Sequence, residues 1–227
     1  MARTDDPSTA LAWAHDLLGE GGPVDFLLAP TRFVAAERTG DSYALTLERR
    51  GLVGVAFGPA PPVDPSWSHA LVSDSALGDE LGRLRASDHW DFFSLDLAGA
   101  RGEEPDVVDE ARVEPFLAAN APDSAVWPGH PEVVAWYGRR DAAGLAAVAA
   151  LVRWESGRLV VSSVATRADA RGAGHATALV RAVAAAAARR GERWLGLGVG
   201  HDNAVAQRVY ARCGFVRRAA FTVYRAT

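Results

Sequence analysis

The chain is poor in the residues that build disulfides and zinc sites. It has one cysteine, Cys213, and no lysine, so all 24 of its Lys and Arg positions are arginine. A single cysteine cannot form a disulfide within the chain and excludes a Cys/His zinc framework. We therefore expect no bound metal and a reducing, cytoplasmic environment. The lack of lysine also excludes a lysine base or a Schiff base with the substrate.

Long apolar runs and an excess of positive charge are absent as well. No run of 18 apolar residues occurs, which predicts no membrane-spanning helix. The opening MARTDDPSTA carries acids where a secretory signal peptide has basic residues, so secretion by that route is not expected. A net charge of -4 argues against nucleic-acid binding. The remaining composition, 49% hydrophobic over 227 residues, is typical of one large or two small globular domains.

Hydrophobic periodicity predicts an α/β protein. Before residue 89 it predicts a helix over residues 9–18, capped by Asp6 or Ser8, and a second helix over 75–85. In the same part it predicts strands over 33–36, 43–47 and 52–57. Later strands are predicted over 89–99, 133–140, 145–154, 159–166 and 193–199, and the last segment, 215–226, should be bent or broken near its middle.

One glycine turn lies where a predicted strand becomes a long helix. Arg171-Gly172-Ala173-Gly174 follows the strand 159–166, and apolar residues recur at helical spacing after it. Glycines there allow a ligand close to the backbone, and the first N–H groups of the helix form an anion site. A P-loop is excluded because no lysine follows the second glycine. A dinucleotide-binding fingerprint is excluded because Thr177 occupies the position of its third glycine. A simple tight turn remains the alternative.

With its neighbours, this turn resembles the central motif of the GNAT superfamily of acyl-CoA-dependent N-acetyltransferases, here Arg171-Gly172-Ala173-Gly174-His175-Ala176. A second family motif follows about thirty residues later as Asn203-Ala204, Tyr210 and Gly214-Phe215. The resemblance covers residues 89–227 and implies a GNAT fold, with a mixed central sheet splayed at the acetyl-CoA site. We therefore predict an acetyltransferase domain over 87–227 and an N-terminal α/β accessory region over 1–86.

The resemblance also implies how acetyl-CoA, as co-substrate, is bound. The backbone of the strand end is expected to pair with the pantetheine amides, and the amides of the turn to hold the pyrophosphate. Arg171 adds charge-assisted contacts, and Asn203 faces the cofactor arm. The implied strand residues are Val164, Ala165 and Thr166, and the implied turn residues are Gly172, Ala173, Gly174, His175, Ala176 and Thr177.

Tyr210 is the predicted catalytic residue, because a tyrosine at this motif position commonly protonates the departing thiolate in the family. On the sequence alone, its removal should change the basic limb of the pH profile. The family often places glutamate bases at the positions of Ser162 and Ser163, and serine cannot act alone as a base. Glu155, Glu132, His130 or an ordered water remain candidates, although a solvated position is the simpler interpretation of each side chain.

Four other side chains could have a chemical role, but a structural role is the simpler interpretation of each. His201 beside Asp202 suggests a dyad, but Asp202 is better explained as a helix cap. Cys213 is predicted to be a small buried residue. Trp127 and Trp136 are candidates for the rim of the acceptor pocket, with core packing the default.

The implied function is transfer of an acetyl group from acetyl-CoA to a primary amine, by direct attack through a tetrahedral intermediate. The acceptor is a small-molecule amine or a protein amine, and the sequence does not decide between them. It also does not decide whether the chain forms a homodimer. Two alternatives are a non-catalytic acyl-CoA-binding sensor or regulatory module, and an N-terminal recognition module on a C-terminal scaffold.

Overall fold

The computed structural model describes residues 1–73 and 81–226, which form a mixed α/β protein. The described helices are α1 (Pro7–Leu18), α2 (Pro23–Leu27), α3 (Glu110–Asn120), α4 (His175–Arg189) and α5 (Ala204–Arg212). The described strands are β1 (Ala2–Thr4), β2 (Phe33–Thr39), β3 (Ser42–Glu48), β4 (Leu52–Phe57), β5 (His69–Ser73), β6 (Leu84–Asp96), β7 (Asp106–Val107), β8 (Val133–Asp141), β9 (Gly144–Arg153), β10 (Leu159–Thr166), β11 (Trp194–Gly200) and β12 (Val216–Ala226). Among these helices, none combines the length and the apolar character needed to cross a membrane.

The first of two compact units comprises the described parts of Met1–Phe93, Val199–Asp202 and Arg217–Thr227. Its strand order is β1-β2-β3-β4-β5-β12-β6, with β4 and β5 parallel. Buried aliphatic and aromatic side chains pack around Trp67, whose Nε1 donates to the hydroxyl of Thr46 at 3.0 Å. The unit therefore has an apolar core of its own.

The second unit comprises Ser94–Gly198 and Asn203–Val216. Its strand order is β11-β10-β9-β8-β7, in which only the β10–β11 pair is parallel. Strand β9 is central, and seven of its ten residues are buried, as expected for a strand covered on both faces. Helix α4 buries Leu179, Val180 and Val183. It begins at His175, and residues 167–174 connect it to Thr166, the last residue of β10.

Most predicted elements are confirmed. One lies largely outside the described residues, and two details differ. The predicted helix 75–85 falls largely on residues 74–80, which lie outside the described residues, and Leu84 and Arg85 begin β6 instead. Strand β12 is continuous where a break was expected, because Ala219, Phe221 and Val223 alternate inward without interruption. Helix α5 begins at Ala204 and is capped by Asn203, whose side chain accepts from the Ala206 N–H, so the prediction of Asp202 as the cap is wrong.

Candidate functional site

A cavity of about 660 Å³ lies in the second unit, where β10 ends and α4 begins. Strand β10 pairs with β11 only through Val160–Gly196 and Val161–Leu197, and its last residues extend beyond that pairing. The two strands therefore separate at the predicted position. The volume is in the range of small-molecule and cofactor sites, roughly 300–1,000 Å³.

The structure brings nearly all of the predicted site residues to this cavity. Those that line it are Val164, Ala165, Thr166, Arg171, Gly172, Gly174, His175, Ala176, Thr177, Asn203 and Tyr210. Ala173 lies in the same turn but is not among the lining residues. The binding role of each residue stays a prediction.

The glycine turn has the geometry of an anion site. Gly172 and Gly174 have φ of +82° and +83°, the left-handed region that side chains rarely adopt. A Cβ at either position would meet no protein atom within 4 Å, so the backbone is open to a ligand. No side chain caps α4, which leaves its first N–H groups available to an anion.

Arg171 connects the turn to another part of the cavity wall. Its Nε donates to the Thr166 carbonyl at 3.3 Å and its Nη2 to the Asn120 carbonyl at 3.1 Å. The guanidinium therefore has a structural role in addition to the predicted contact with phosphate. The Asn120 side chain also belongs to this link, since its Oδ1 accepts from the Ala168 N–H at 3.1 Å.

A second arginine anchors the start of the same turn. Arg167 donates through Nη2 to Asp141 at 2.7 Å, through Nε to Asp169 at 2.5 Å and through Nη1 to the Leu145 carbonyl at 2.8 Å. The Arg167 hydrogen bonds hold the pKa of Asp141 below its ordinary value. His175 Nε2 lies 3.9 Å from Asp141 Oδ2, so the imidazole adds to this lowering of the pKa.

Tyr210 is largely buried, with 7% of the residue exposed, and its ring lies against Phe215. Burial raises the pKa of the phenol to about 12, and nearby Cys213 contributes to the shift. The group therefore keeps its proton at any ordinary pH. Cys213 is half-buried, whereas a small buried residue was predicted, and its thiol donates to the Thr177 carbonyl at 3.5 Å.

None of the candidate bases lines the cavity. Glu155 and His130 are exposed, and Glu132 is half-buried at the start of the segment that leads into β8. The described residues that do line the cavity include no Asp or Glu. The two tryptophans also lie elsewhere: Trp136 is buried in β8, and Trp127 is half-buried with its Nε1 donating to the Ser124 carbonyl.

His201 forms a pair that the sequence could not reveal. Its Nδ1 lies 3.2 Å from a carboxylate oxygen of Asp91, which also accepts from Arg217 at 2.6 Å. All three residues belong to the first unit, and Asp91 is 1% exposed. Asp91 is 110 positions away from His201 in the chain, so no local sequence pattern indicates this contact.

Sequence reasoning missed eight lining residues. They are Asn120 and Ala121 at the end of α3, Ala170 before the glycine turn, and Val205, Ala206, Arg208, Val209 and Arg212 on α5. Of those on α5, Val205, Arg208 and Arg212 recur at i, i+3 and i+7, the spacing of one helix face, and this signal could have identified them. The arginines add positive charge to the cavity, and Val205, 67% exposed, adds apolar surface.

The comparisons with known proteins agree with this geometry. The model of the acetyltransferase (GNAT) family matches residues 101–215. Among solved structures, a GCN5-related N-acetyltransferase from Kribbella flavida has 19% identity and a TM-score of 0.56, with 96% of this chain and 94% of that chain covered. A GNAT-family acetyltransferase from Colwellia psychrerythraea has 12% identity and a TM-score of 0.53, covering 100% and 99%. Both likenesses concern the fold alone, and no curated protein matches the sequence.

Proposed function

This chain belongs to the acetyltransferase (GNAT) family, and from that membership we propose that it transfers an acetyl group from acetyl-CoA to a primary amine. The observation that carries the proposal is the cavity, which joins an uncapped helix N-terminus to a buried phenol. The glycine turn suits phosphate, and the arginines that line the cavity match a polyanionic co-substrate. Tyr210 suits proton donation to a leaving group.

The proposed chemistry needs one proton donor and one proton acceptor. The amine nitrogen attacks the acetyl carbonyl carbon, and the C–S bond breaks as the tetrahedral intermediate collapses. The sulfur keeps the bonding electron pair and takes the phenolic proton of Tyr210. Water then reprotonates the Tyr210 phenolate. The amine proton passes to water, because no carboxylate is among the described residues of the cavity wall.

Turnover should therefore depend on the neutral fraction of the acceptor amine. For a series of amines of different pKa, we expect the rise of kcat/KM with pH to follow the pKa of each amine. The reason is that a protonated amine has no lone pair and the cavity supplies no carboxylate to deprotonate it. Thiol release measured over pH with the series checks this. If kcat/KM instead rises at the same pH for every amine, a base on the protein is indicated.

The same absence of a carboxylate favours one alternative function, an acyl-CoA-binding sensor without chemistry. The two functions are distinguished by combining calorimetry with the thiol-release assay. Binding of acetyl-CoA with release of thiol in the presence of an amine supports the transferase. Binding without release across small amines and peptide amines supports the sensor.

The accessory role of residues 1–86 remains a proposal, and the structure suggests how to test it. A chain that begins at residue 87 would lack β5, which pairs with β12 from His69–Arg225 to Ser73–Phe221. We expect this chain to lose solubility before it loses CoA binding, because an uncovered apolar strand edge promotes aggregation. Soluble yield and CoA calorimetry measure the two effects. A soluble fragment with full activity would show that the region is not an accessory layer.

A further inference from the structure

Ser163 has a backbone conformation that is rare for a residue other than glycine. Its φ is +49°, and it lies in a bulge of β10. Ser162 pairs with Ala150 and Ala165 with Val148, so Ser163 and Val164 together face a single residue of β9. Glycine is the usual residue at the left-handed position of such a bulge. A serine there implies that its side chain offsets the strain.

The hydroxyl of Ser163 makes two hydrogen bonds to one residue outside the sheet. It donates to the Val126 carbonyl at 2.7 Å and accepts from the Val126 N–H at 3.0 Å. Val126 is 8% exposed, so both of its backbone groups need partners. One side chain therefore provides a partner for each polar backbone group of a residue in the connection between α3 and β8.

Val126 ends a short segment, residues 120–126, which we call the wall segment. At its other end, Asn120 is held by Arg171 and by the Ala168 N–H. Inside the segment, the Ser124 N–H and hydroxyl both donate to the Ala121 carbonyl, at 3.1 and 2.8 Å. The wall segment is thus compact and attached at both ends to elements that line the cavity.

We propose that Ser163 is a positioning residue of the acyl-CoA site: its hydroxyl holds the wall segment against the bulge of β10. Asn120 and Ala121 of the wall segment and Val164, next to Ser163, all line the cavity. The hydroxyl thereby attaches the wall segment, through Val126, to the residue next to Val164. This inference rests on the proposed function, and it assigns a structural reason to a serine at a position where the resemblance suggests a base.

The test removes the hydroxyl in two backbone contexts. Ser163→Ala removes the hydroxyl but keeps the Cβ, so the backbone strain at positive φ remains. Ser163→Gly removes the hydroxyl and the Cβ, so the strain is relieved as well. We expect both variants to raise the KM for acetyl-CoA by about tenfold, because CoA binding would then have to order a wall segment that has lost two hydrogen bonds. We expect kcat and the KM of the amine to change by less than about twofold. Ser162→Ala is the matched control, since the Ser162 hydroxyl makes no hydrogen bond to the described residues.

Calorimetry with CoA and thermal unfolding complete the design. A weaker CoA affinity in both variants, with Ser162→Ala unchanged, supports the positioning role. Unchanged KM and CoA affinity in Ser163→Gly overturns it, whatever the effect on unfolding temperature, because a merely structural serine would alter stability alone. If the wild-type chain binds CoA and only the variant result fails, this inference is wrong. If the wild-type chain does not bind CoA, the proposed function is wrong.

Discussion

Gly174→Val should abolish measurable acetyl-CoA binding. Gly174 is the N-cap residue of α4 and has φ of +83°, and its Cβ position faces open space in the cavity wall. A β-branched side chain would occupy the space over the free N–H groups of α4, and would prevent an anion from reaching them. Calorimetry with acetyl-CoA measures the effect. The left-handed conformation also costs a residue with a side chain roughly 1–2 kcal/mol, so some loss of stability is expected in addition.

Gly191→Val separates these two effects. Gly191 lies just beyond the other end of α4, has the same φ of +83°, and likewise has no protein atom within 4 Å of its Cβ position. It does not line the cavity. We expect the two variants to lose similar amounts of thermal stability, and only Gly174→Val to lose CoA binding. Equal CoA affinity in both folded variants would place the phosphate cradle elsewhere.

The features predicted correctly from sequence are those encoded over short distances. The apolar face of α4 follows from helical periodicity over fifteen residues, and β10 has the bounds that were predicted for it, residues 159–166. The glycine turn between them was identified for the same reason, because its chemistry and its neighbours lie within one continuous segment.

The features missed by sequence reasoning depend on contacts between distant segments. Asn120 is held at the cavity wall by a hydrogen bond from Arg171, which lies 51 positions later in the chain. No local sequence pattern indicates that contact. Val126 meets Ser163 across 37 positions, so the positive φ of Ser163 has no signal in the sequence around it. Asp202 is predicted as a cap because it lies at the expected start of α5. Asp and Asn are equally good caps, so only the observed start of the helix identifies Asn203 as the cap.

Tyr210→Phe should lower turnover by ~10²–10⁴-fold while leaving acetyl-CoA affinity nearly unchanged, the range typical of a lost general acid. The phenol would interact with charge that develops on sulfur only as the C–S bond breaks, so its contribution is confined to the transition state. Phenylalanine keeps the ring that packs against Phe215, so the fold should be retained. Single-turnover kinetics measure the chemical step, and calorimetry measures the affinity.

The pH profile gives a second and independent readout. Burial raises the pKa of Tyr210 to about 12, so the phenol is protonated throughout the range in which the enzyme can be assayed. Tyr210→Phe should thus reduce the rate by a constant factor and leave the basic limb unmoved, against the expectation from sequence. Tyr137→Phe, which removes a buried phenol that does not line the cavity, is the control and should keep wild-type turnover. Wild-type single-turnover rates in Tyr210→Phe would show that water protonates the sulfur and that Tyr210 only packs.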